Sequence, residues 1–292
     1  MSPTIRVTVP ASSANLGPGF DALGLALALY DVVEVRATGG GLTVRAAGEG
    51  CDTVPCDETH LVVRALRAAC AHLGHPATGL DLACRNAIPH ARGLGSSAAA
   101  VVAGIAAGYA LAGRELDAGA LQLAGAFEGH ADNAAASLYG GLVVAWSEGV
   151  LYRAAQLVPH ADIHPVALVP AEESATKVTR GLLPDRVSHA DAAFTAGRSA
   201  LAVHAFTAAP EFLFEATEDR LQQDYRKSAW PATATLVGSL RAAGVPAVVS
   251  GAGPTVLALP GRAGLPEDLD LTGFSLLPLD IDRVGVRVER VD

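Results

Sequence analysis

The sequence feature that most constrains the fold is a glycine-rich turn that leads into a long uncharged stretch. The turn is Gly93-Leu94-Gly95-Ser96-Ser97, and residues 93–113 contain no charged side chain. Glycine adopts backbone angles closed to other residues, so consecutive N–H groups can face one concavity at the N-terminus of a helix. Unpaired N–H groups and the helix dipole favour an anion there. The turn therefore predicts an anion site before a helix over about 96–111; a plain loop with a serine cap is the alternative.

The uncharged stretch is long enough to cross a bilayer, but its composition argues against a membrane span. It is rich in Gly and Ala, opens with a polar turn and lacks an aromatic belt. We therefore favour a buried core helix.

Residues 1–10 lack the layout of a signal peptide, and the cysteines match neither a zinc ribbon nor CxxC, so we expect reduced thiols and a cytoplasmic protein. The four cysteines are Cys51, Cys56, Cys70 and Cys84.

Charge and length narrow the class of protein further. The chain has 21 Lys and Arg against 30 Asp and Glu, a net charge of −9, and its only lysines are Lys177 and Lys227. No basic arm is available to neutralise a phosphate backbone, so we expect no nucleic-acid partner. The 292 residues predict two domains.

Apolar periodicity predicts strands interleaved with helices, an α+β chain. In the first half we expect strands at 5–9, 25–35, 42–45, 80–84 and 142–146 and helices at 57–73, at 96–111 and from 118 behind Asp117 as N-cap. In the second half we expect strands at 166–169, 246–250, 255–259 and from 274, and helices near 176–182, 188–207, 211–221 and 231–243. Pro159 and Pro165 mark a boundary, so the predicted domains are 1–158 and 159–292.

Two known phosphate-binding patterns can be compared with the turn. A Walker A loop requires a lysine that this turn lacks, which excludes the P-loop class. A dinucleotide fingerprint is formally matched by Gly93, Gly95 and Ala98, with Glu115 further on. That fingerprint follows directly on a strand, whereas residues 89–92 intervene here, so an NAD-dependent oxidoreductase is the runner-up.

Four segments carry a resemblance to a known family. Residues 9–27 read VPASSANLGPGFDALGLAL, residues 89–98 read PHARGLGSSA, residues 127–133 read FEGHADN before Gly140-Gly141, and residues 250–256 read SGAGPTV. In this order they resemble the motifs of the GHMP small-molecule kinases, and the first and third are similar to the homoserine kinases in particular. The resemblance spans nearly the whole chain.

The resemblance implies a fold and a reaction. It implies a two-domain GHMP kinase architecture, with an N-terminal domain like domain 2 of ribosomal protein S5, a ferredoxin-like C-terminal domain and the active site between them. The implied reaction transfers the γ-phosphate of ATP to the side-chain hydroxyl of L-homoserine, giving O-phospho-L-homoserine and ADP, in threonine biosynthesis. Another GHMP-type kinase and a non-catalytic nucleotide-binding module remain alternatives, and a homodimer is compatible with the resemblance.

The resemblance also assigns the nucleotide and metal residues. ATP would contact Pro89, Arg92, Gly93, Leu94, Gly95, Ser96, Ser97, Ala98 and Ala99, with His60 near the adenine. His60 stands where the family often has Asn, which puts the nucleotide preference in question. Mg²⁺ prefers hard oxygen ligands and retains waters, so one hydroxyl and one carboxylate suffice, and the resemblance supplies Ser97 and Glu128.

The amino-acid substrate completes the implied site. Homoserine would contact Asn15, Asp21, His130, Thr176, Arg180 and Arg226. A zwitterion needs a carboxylate for its ammonium and guanidinium groups for its carboxylate, and this set contains both. Arg220 competes with Arg226 for the second guanidinium position.

The implied chemistry uses no strong general base. Many relatives place an aspartate base about where Asn133 falls, and an amide cannot accept a proton at neutral pH. The resemblance therefore implies that Asn133 and Asn15 orient the hydroxyl. Ala131 and Ala136 stand where the family often has Pro, which affects loop rigidity.

Overall fold

The structure is a computed structural model that describes residues 3–172 and 179–291. The strands of these residues are β1 (Thr4–Asn15), β2 (Gly19–Thr38), β3 (Gly41–Gly48), β4 (Gly79–Asn86), β5 (Leu142–Glu148), β6 (Leu151–Leu157), β7 (Val166–Pro170), β8 (Ala247–Val249), β9 (Val256–Ala258), β10 (Phe274–Pro278) and β11 (Arg287–Val291). Their α-helices are α1 (Leu61–His72), α2 (Ser96–Leu111), α3 (Ala118–Glu128), α4 (Asp132–Tyr139), α5 (His189–Thr207), α6 (Leu213–Ala216), α7 (Gln223–Arg226) and α8 (Pro231–Ala242). Strands and helices are interleaved, so the predicted α+β class is confirmed.

The first sheet has the order β11-β1-β2-β4-β3, and β5 extends it by pairing with β2 and β6. Only the β3–β4 pair is parallel among its described ladders. Helix α2 packs against β1 and between the other helices of this half. It is buried on every side because its sequence is uncharged and small, which confirms the expected core helix. Gly104 lets α1 approach closely, since a Cβ there would lie 2.3 Å from Val62 O.

None of the helices in residues 3–172 and 179–291 combines the length and hydropathy needed to span a membrane. Helix α2 has 16 residues, because the polar turn before it and Ala112-Gly113 after it set its ends.

The second sheet has the order β10-β7-β9-β8 with every neighbouring pair antiparallel. If these four strands are numbered 1 to 4 along the chain, their order across the sheet is 4-1-3-2, which is the arrangement of a ferredoxin-like split βαβ sheet. Helix α8 covers β8 and β9 and contributes Leu236 and Leu240 to a second, smaller core. The cavity described below lies between the two sheets.

The end of the chain returns to the first sheet. Strand β11 pairs antiparallel with β1, from Thr4 opposite Val291 to Thr8 opposite Arg287. Ile281 also bridges Leu27 of β2. The division into 1–158 and 159–292 stays a prediction, and Ile281 and Arg287–Val291 of the second part pair with the N-terminal sheet.

Several element predictions need correction. The helix predicted over 211–221 is wrong, because α6 ends at Ala216 and α7 begins only at Gln223. Between them the Asp219 carboxylate accepts hydrogen bonds from the N–H groups of Leu221, Gln222 and Gln223, which competes with helical pairing. Helix α1 begins at Leu61 rather than 57, since the Asp57 carboxylate bonds the backbone and hydroxyl of Thr59.

Other element predictions are confirmed or lie outside the description. Asp117 caps α3 by accepting from the N–H of Gly119, and α5 begins behind Ser188 as its N-cap. The sequence pattern missed β6 and α4. Of the helix predicted near 176–182, residues 176–178 lie outside the described residues, residues 179 and 180 are helical, and residues 181 and 182 form a turn.

Candidate active site

The glycine-rich turn has the backbone geometry that only glycine provides without strain. Gly93 and Gly95 have φ values of 77° and 72°, in the left-handed region. A Cβ would lie 2.2 Å from Ser250 O at Gly93 and 2.1 Å from Ser12 Oγ at Gly95. Within the described residues, no hydrogen bond uses the N–H groups of residues 95–97 as donors. These three N–H groups lie at the N-terminus of α2 and are available to an anion.

Two distant segments hold the turn from either side. The N–H of Ser12 donates to Leu94 O over 3.0 Å. On the other side Ser250 Oγ donates to Gly93 O over 2.6 Å and lies 2.8 Å from Ser13 Oγ. The first, second and fourth sequence motifs therefore meet at the turn.

The turn opens into a cavity of about 440 Å³. The cavity is lined by Ala14, Asn15, Phe20, Asp21, Ala91, Arg92, Gly93, Gly95, Ser96, Ser97, Ala98, Phe127, Glu128, His130, Asp132, Asn133, Arg180, Arg226, Gly251 and Ala252. All four sequence motifs contribute to it. The structure thus brings together most of the residues that the sequence predicted.

At the end of the cavity next to the N-terminus of α2, a hydroxyl and a carboxylate face each other. Ser97 Oγ, in the first turn of α2, donates to Glu128 Oε1 over 2.6 Å. Glu128 is the last residue of α3, which ends there because Gly129 has a φ of 80°. Both side chains offer hard oxygen ligands. The pair can therefore bind an Mg²⁺ ion that also binds phosphate oxygens. In the described ranges, no cluster of three or more His, Cys, Asp or Glu forms a complete metal site.

At the other end, Asp21 and Arg180 form a two-point ion pair. Arg180 Nη1 and Nη2 donate to Asp21 Oδ2 and Oδ1 over 2.9 and 2.8 Å. The hydrogen bond from Arg180 to Asp21 raises the pKa of the guanidinium, against the opposing effect of burial. Asn15 fixes the start of β2, which carries Asp21, because its Oδ1 accepts from the N–H of Asp21 and its Nδ2 donates to Gly251 O.

Arg226 is a buried cation in the same cavity. It is 1% exposed, its Nη1 donates to Gln222 Oε1 over 2.7 Å, and its Nε has no hydrogen-bond partner in the described residues. Burial, and then the neighbouring Arg180, lower the pKa of Arg226. Both guanidinium carbons lie 5.2 Å from the centre of the Phe20 ring. A buried guanidinium without a carboxylate partner is a site for an anionic ligand.

Arg220, the other candidate for the second guanidinium position, does not line this cavity. It lines a separate cavity beside Phe194, with its guanidinium carbon 3.7 Å from that ring and its Nη1 3.7 Å from Asp191 Oδ1. Arg220 lies in the break between α6 and α7, whereas Arg226 is the last residue of α7.

A third group of polar side chains lies between these ends. His130 Nδ1 lies 2.8 Å from Asp132 Oδ1, and the N–H of Asn133 donates to the same oxygen over 2.8 Å. The hydrogen bond to Asp132 raises the pKa of His130 although burial opposes it. Asn133 Oδ1 accepts from Ser12 Oγ over 3.0 Å.

Some predicted residues do not line the cavity. Pro89, Leu94 and Ala99 are buried behind the turn, where they pack rather than face a ligand. His60 is 5% exposed at the N-terminus of α1, and burial lowers its pKa. Thr176 lies outside the described residues.

Arg92 lines the cavity but is engaged by the backbone. Its Nε, Nη1 and Nη2 donate to the carbonyl oxygens of Pro170, His90 and Ala171. Arg92 therefore ties the turn to the end of β7.

Sequence reasoning assigned no site role to several residues, among them Phe20, Asp132, Ser12 and Gln222. Phe20 and Asp132 line the cavity, while Ser12 and Gln222 hold residues that do. Phe20, Asp132 and Ser12 lie inside the quoted motifs, so the motifs themselves were the signal. Gln222 had no signal, since it acts through a contact four residues along the chain.

Comparison with known proteins identifies the class. The family model for the GHMP kinases N terminal domain matches residues 60–141, which include the turn, Glu128 and Asn133. The fold and the turn together define a GHMP kinase. The dinucleotide-binding alternative is wrong, because β4 ends at Asn86, before the turn, and Glu115 lines a different cavity.

Similar proteins narrow the class to one family. The chain is 54% identical to a homoserine kinase of Rhodococcus erythropolis over 95% of this chain and 94% of that protein. It is 51% identical to a homoserine kinase of Streptomyces coelicolor over 97% of this chain and 94% of that protein. The crystal structure of homoserine kinase from Cytophaga hutchinsonii superposes with a TM-score of 0.84 at 25% identity, covering 99% of this chain and 98% of that chain. The chain belongs to the homoserine kinase family.

Proposed function

We propose that this protein transfers the γ-phosphate of ATP to the side-chain hydroxyl of L-homoserine, giving O-phospho-L-homoserine and ADP, in threonine biosynthesis. One observation carries the proposal beyond family membership. The cavity that holds the free N–H groups of residues 95–97 also holds the Asp21–Arg180 pair and the buried Arg226, whose Nε has no hydrogen-bond partner among the described residues. A phosphate site and a zwitterion site therefore share one cavity.

ATP binds at the turn, with its phosphates on the N–H groups of residues 95–97. Phosphoryl transfer needs mainly positioning and charge compensation, because the transition state spreads charge over the phosphoryl oxygens. Ser97 and Glu128 would hold Mg²⁺, which neutralises charge on the phosphates when bound. Ser97 sits in the first turn of α2, so its backbone N–H and its side chain serve the same phosphate region.

Homoserine binds at the other end without breaking the Asp21–Arg180 pair. That pair uses two of the five N–H groups of Arg180 and one lone pair on each oxygen of Asp21. The ammonium adds to the free lone pairs of Asp21. The carboxylate accepts from the remaining N–H groups of Arg180 and from Arg226, which compensates the buried charge of Arg226. His130 and Thr176 stay in the proposed substrate set.

The hydroxyl is oriented by amides rather than deprotonated by a side-chain carboxylate at position 133. Asn15 holds Asp21, at the start of β2, in place through both ends of its amide, so it positions the substrate. Asn133 lies in the cavity wall between the phosphate end and the amino-acid end. The bond from the homoserine oxygen to the γ-phosphorus forms as the bond from the γ-phosphorus to the β–γ bridging oxygen breaks, that oxygen leaves with ADP, and the hydroxyl proton is released to water, since the Asn133 amide cannot accept it.

Three further predictions belong to this proposal. We place the enzyme in the cytoplasm, which is compatible with four unpaired cysteines. We propose a homodimer, which light scattering tests directly. We also propose that His60, neutral because burial lowers its pKa, affects the choice of nucleotide base.

A coupled ADP-release assay with Mg²⁺-ATP tests the function. The acceptors are L-homoserine, L-serine, mevalonate and galactose, and mass spectrometry identifies the phosphorylated product. Homoserine should give the highest kcat/KM, and a Glu128→Gln variant supplies the background rate. ADP release that does not depend on homoserine, or a higher kcat/KM for another alcohol, contradicts the proposal.

A further inference from the structure

Ser12 of β1 is a fully buried hydroxyl that touches two parts of the site. Its side chain is 0% exposed, and its Oγ lies 3.0 Å from Asn133 Oδ1 at the start of α4. Its backbone N–H donates to Leu94 O in the phosphate-binding turn. The turn and α4 are thus both fixed to one residue of β1.

The hydrogen-bond partners around Ser12 determine which way the Asn133 amide faces. Ser137 Oγ donates to Pro10 O over 3.1 Å, so its single proton is used there. If the Asn133 amide were reversed, the hydrogen-bond acceptor left to the Ser12 proton among the described residues would be Ser137 Oγ, at 3.5 Å. That distance exceeds the usual range for O–H···O bonds, whereas 3.0 Å to Asn133 Oδ1 lies at its limit. A buried hydroxyl therefore favours the carbonyl oxygen of Asn133 on its own side.

The crowding at the turn leaves this pairing little freedom. A Cβ on Gly95 would lie 2.1 Å from Ser12 Oγ and 3.1 Å from Asn133 Oδ1. The two polar atoms therefore lie directly against the backbone of the turn. The N–H of Asn133 is bonded to Asp132 Oδ1, which fixes the backbone from which the amide extends.

We propose that Ser12 is a positioning residue that holds the Asn133 amide with its oxygen inward, so that Asn133 presents its NH₂ group to the cavity. An NH₂ group donates and cannot accept. Its ligands are then the oxygen of the acceptor hydroxyl or an oxygen of the γ-phosphate. This inference rests on the proposed kinase function and adds a residue that touches neither substrate.

A double-mutant cycle with Ser12→Ala and Asn133→Ala tests the proposal. Ser12→Ala should lower kcat roughly tenfold, the order expected for losing one aligned hydrogen bond, with the KM values for ATP and homoserine changed less than about threefold. Because Ser12 acts through Asn133, adding Ser12→Ala to Asn133→Ala should lower kcat no further. If the two substitutions lowered kcat independently, their effects would multiply in the double variant. That result would show a separate structural role for Ser12 and overturn the proposal.

Ser137→Ala is the matched control. Ser137 is an equally buried serine of the same hydroxyl cluster, but its proton goes to Pro10 O. Its variant should keep kcat within about twofold of the wild type. An equal loss of kcat in the Ser137→Ala and Ser12→Ala variants would mean that general packing is measured, and the proposal would fail. Ser12→Cys, which keeps one heteroatom on Cβ and weakens the donor, replaces Ser12→Ala in the cycle if that variant does not fold.

Asn133→Asp tests which atom faces the cavity. A carboxylate accepts from Ser12 as the amide does but presents an oxygen to the cavity, so kcat should fall at least as far as in Asn133→Ala. Retention of most of the activity would mean that an acceptor is needed there, and the proposed orientation would be wrong. If homoserine itself is not a substrate, the cycle is run on the alcohol that supports turnover, so failure of the proposed substrate is distinguished from failure of the proposed positioning.

Discussion

Arg226 shows how burial gives one side chain a binding role that its neighbour lacks. Both Arg226 and Arg220 lie near the break between α6 and α7, but only Arg226 faces the cavity with Asp21. Its burial is unfavourable until an anion binds, because its Nε has no hydrogen-bond partner among the described residues. We therefore expect Arg226→Ala to raise the KM for homoserine by about 30-fold to several thousand-fold, as for truncation of a buried charge pair, and to leave the KM for ATP nearly unchanged.

Arg220→Ala is the control for this prediction, and both KM values should stay close to the wild type. An amino alcohol that lacks the carboxylate should be a poor substrate of the wild type and should lose little more in Arg226→Ala. Equal losses for homoserine and the amino alcohol would mean that Arg226 supports ATP or the fold instead.

Ser97 and Glu128 carry the second prediction at the residue scale. Their oxygens lie 2.6 Å apart at the phosphate end, so each variant removes one proposed ligand. Ser97→Ala and Glu128→Gln should each lower kcat steeply and raise the Mg²⁺ concentration needed for half-maximal rate. Mg²⁺ titrations at saturating ATP measure this, with Glu115→Gln as a control at an exposed glutamate in another cavity. An unchanged Mg²⁺ requirement in both variants would remove the assignment.

At the scale of an element, the junction between the turn and α2 requires a residue without a side chain at position 95. A Cβ at Gly95 meets Ser12 Oγ, whereas a Cβ at Gly113, after the C-terminus of α2, meets nothing within 4 Å. Both glycines have positive φ, 72° and 67°, so alanine is similarly strained at either position. We expect Gly95→Ala to weaken ATP binding about tenfold or more, since the turn must move, while Gly113→Ala costs only about 1–2 kcal/mol of stability.

Calorimetric titration of ATP into both variants measures this difference. The melting temperatures show whether each variant folds. Equal ATP affinity in Gly95→Ala and Gly113→Ala would mean that the turn does not hold the phosphates.

The same scale explains which elements the sequence could predict. The position of helix α2 could be predicted from composition and from the glycines at either end. A long uncharged stretch between glycines indicates a buried helix without any need for an amphipathic pattern. The region around Asp219 could not be predicted, since one carboxylate that accepts three N–H groups ends a helical pattern. Strand β6 was missed because it pairs with β5 alone and alternates only weakly between half-buried and exposed residues.

The candidate site was predictable where motifs fix it and not where distant contacts do. Ser97 and Glu128 meet as expected. The choice between Arg226 and Arg220 required the fold, because it depends on which side of a broken helix faces the cavity. The contact of Ser12 with Asn133 joins residues far apart in the chain, which no local pattern encodes.

For the whole molecule, the return of the chain end to the first sheet is fixed by Asp282. Its fully buried carboxylate accepts from Tyr30 of β2, from Arg287 of β11 and from the N–H groups of Val284 and Gly285. Burial alone would raise the pKa of Asp282, but these hydrogen bonds, first that of Gly285, outweigh it and the pKa is lowered. The chain end is thus attached to the N-terminal sheet by a charged group that needs all of its partners.

Asp282→Asn should therefore destabilise the protein in a pH-dependent way. At pH 7 we expect a loss of about 3 kcal/mol, since Arg287 loses its buried partner. A carboxyl group whose pKa is lower in the folded state stabilises the fold above its unfolded pKa, and this contribution is lost as the pH falls through the folded value. The difference in unfolding free energy between wild type and Asp282→Asn should thus be largest near pH 7 and shrink below about pH 4. Urea unfolding at pH 7 and pH 3.5 measures it, with the exposed Asp280→Asn as control. A difference that is the same at both pH values would mean that Asp282 contributes by shape rather than by charge.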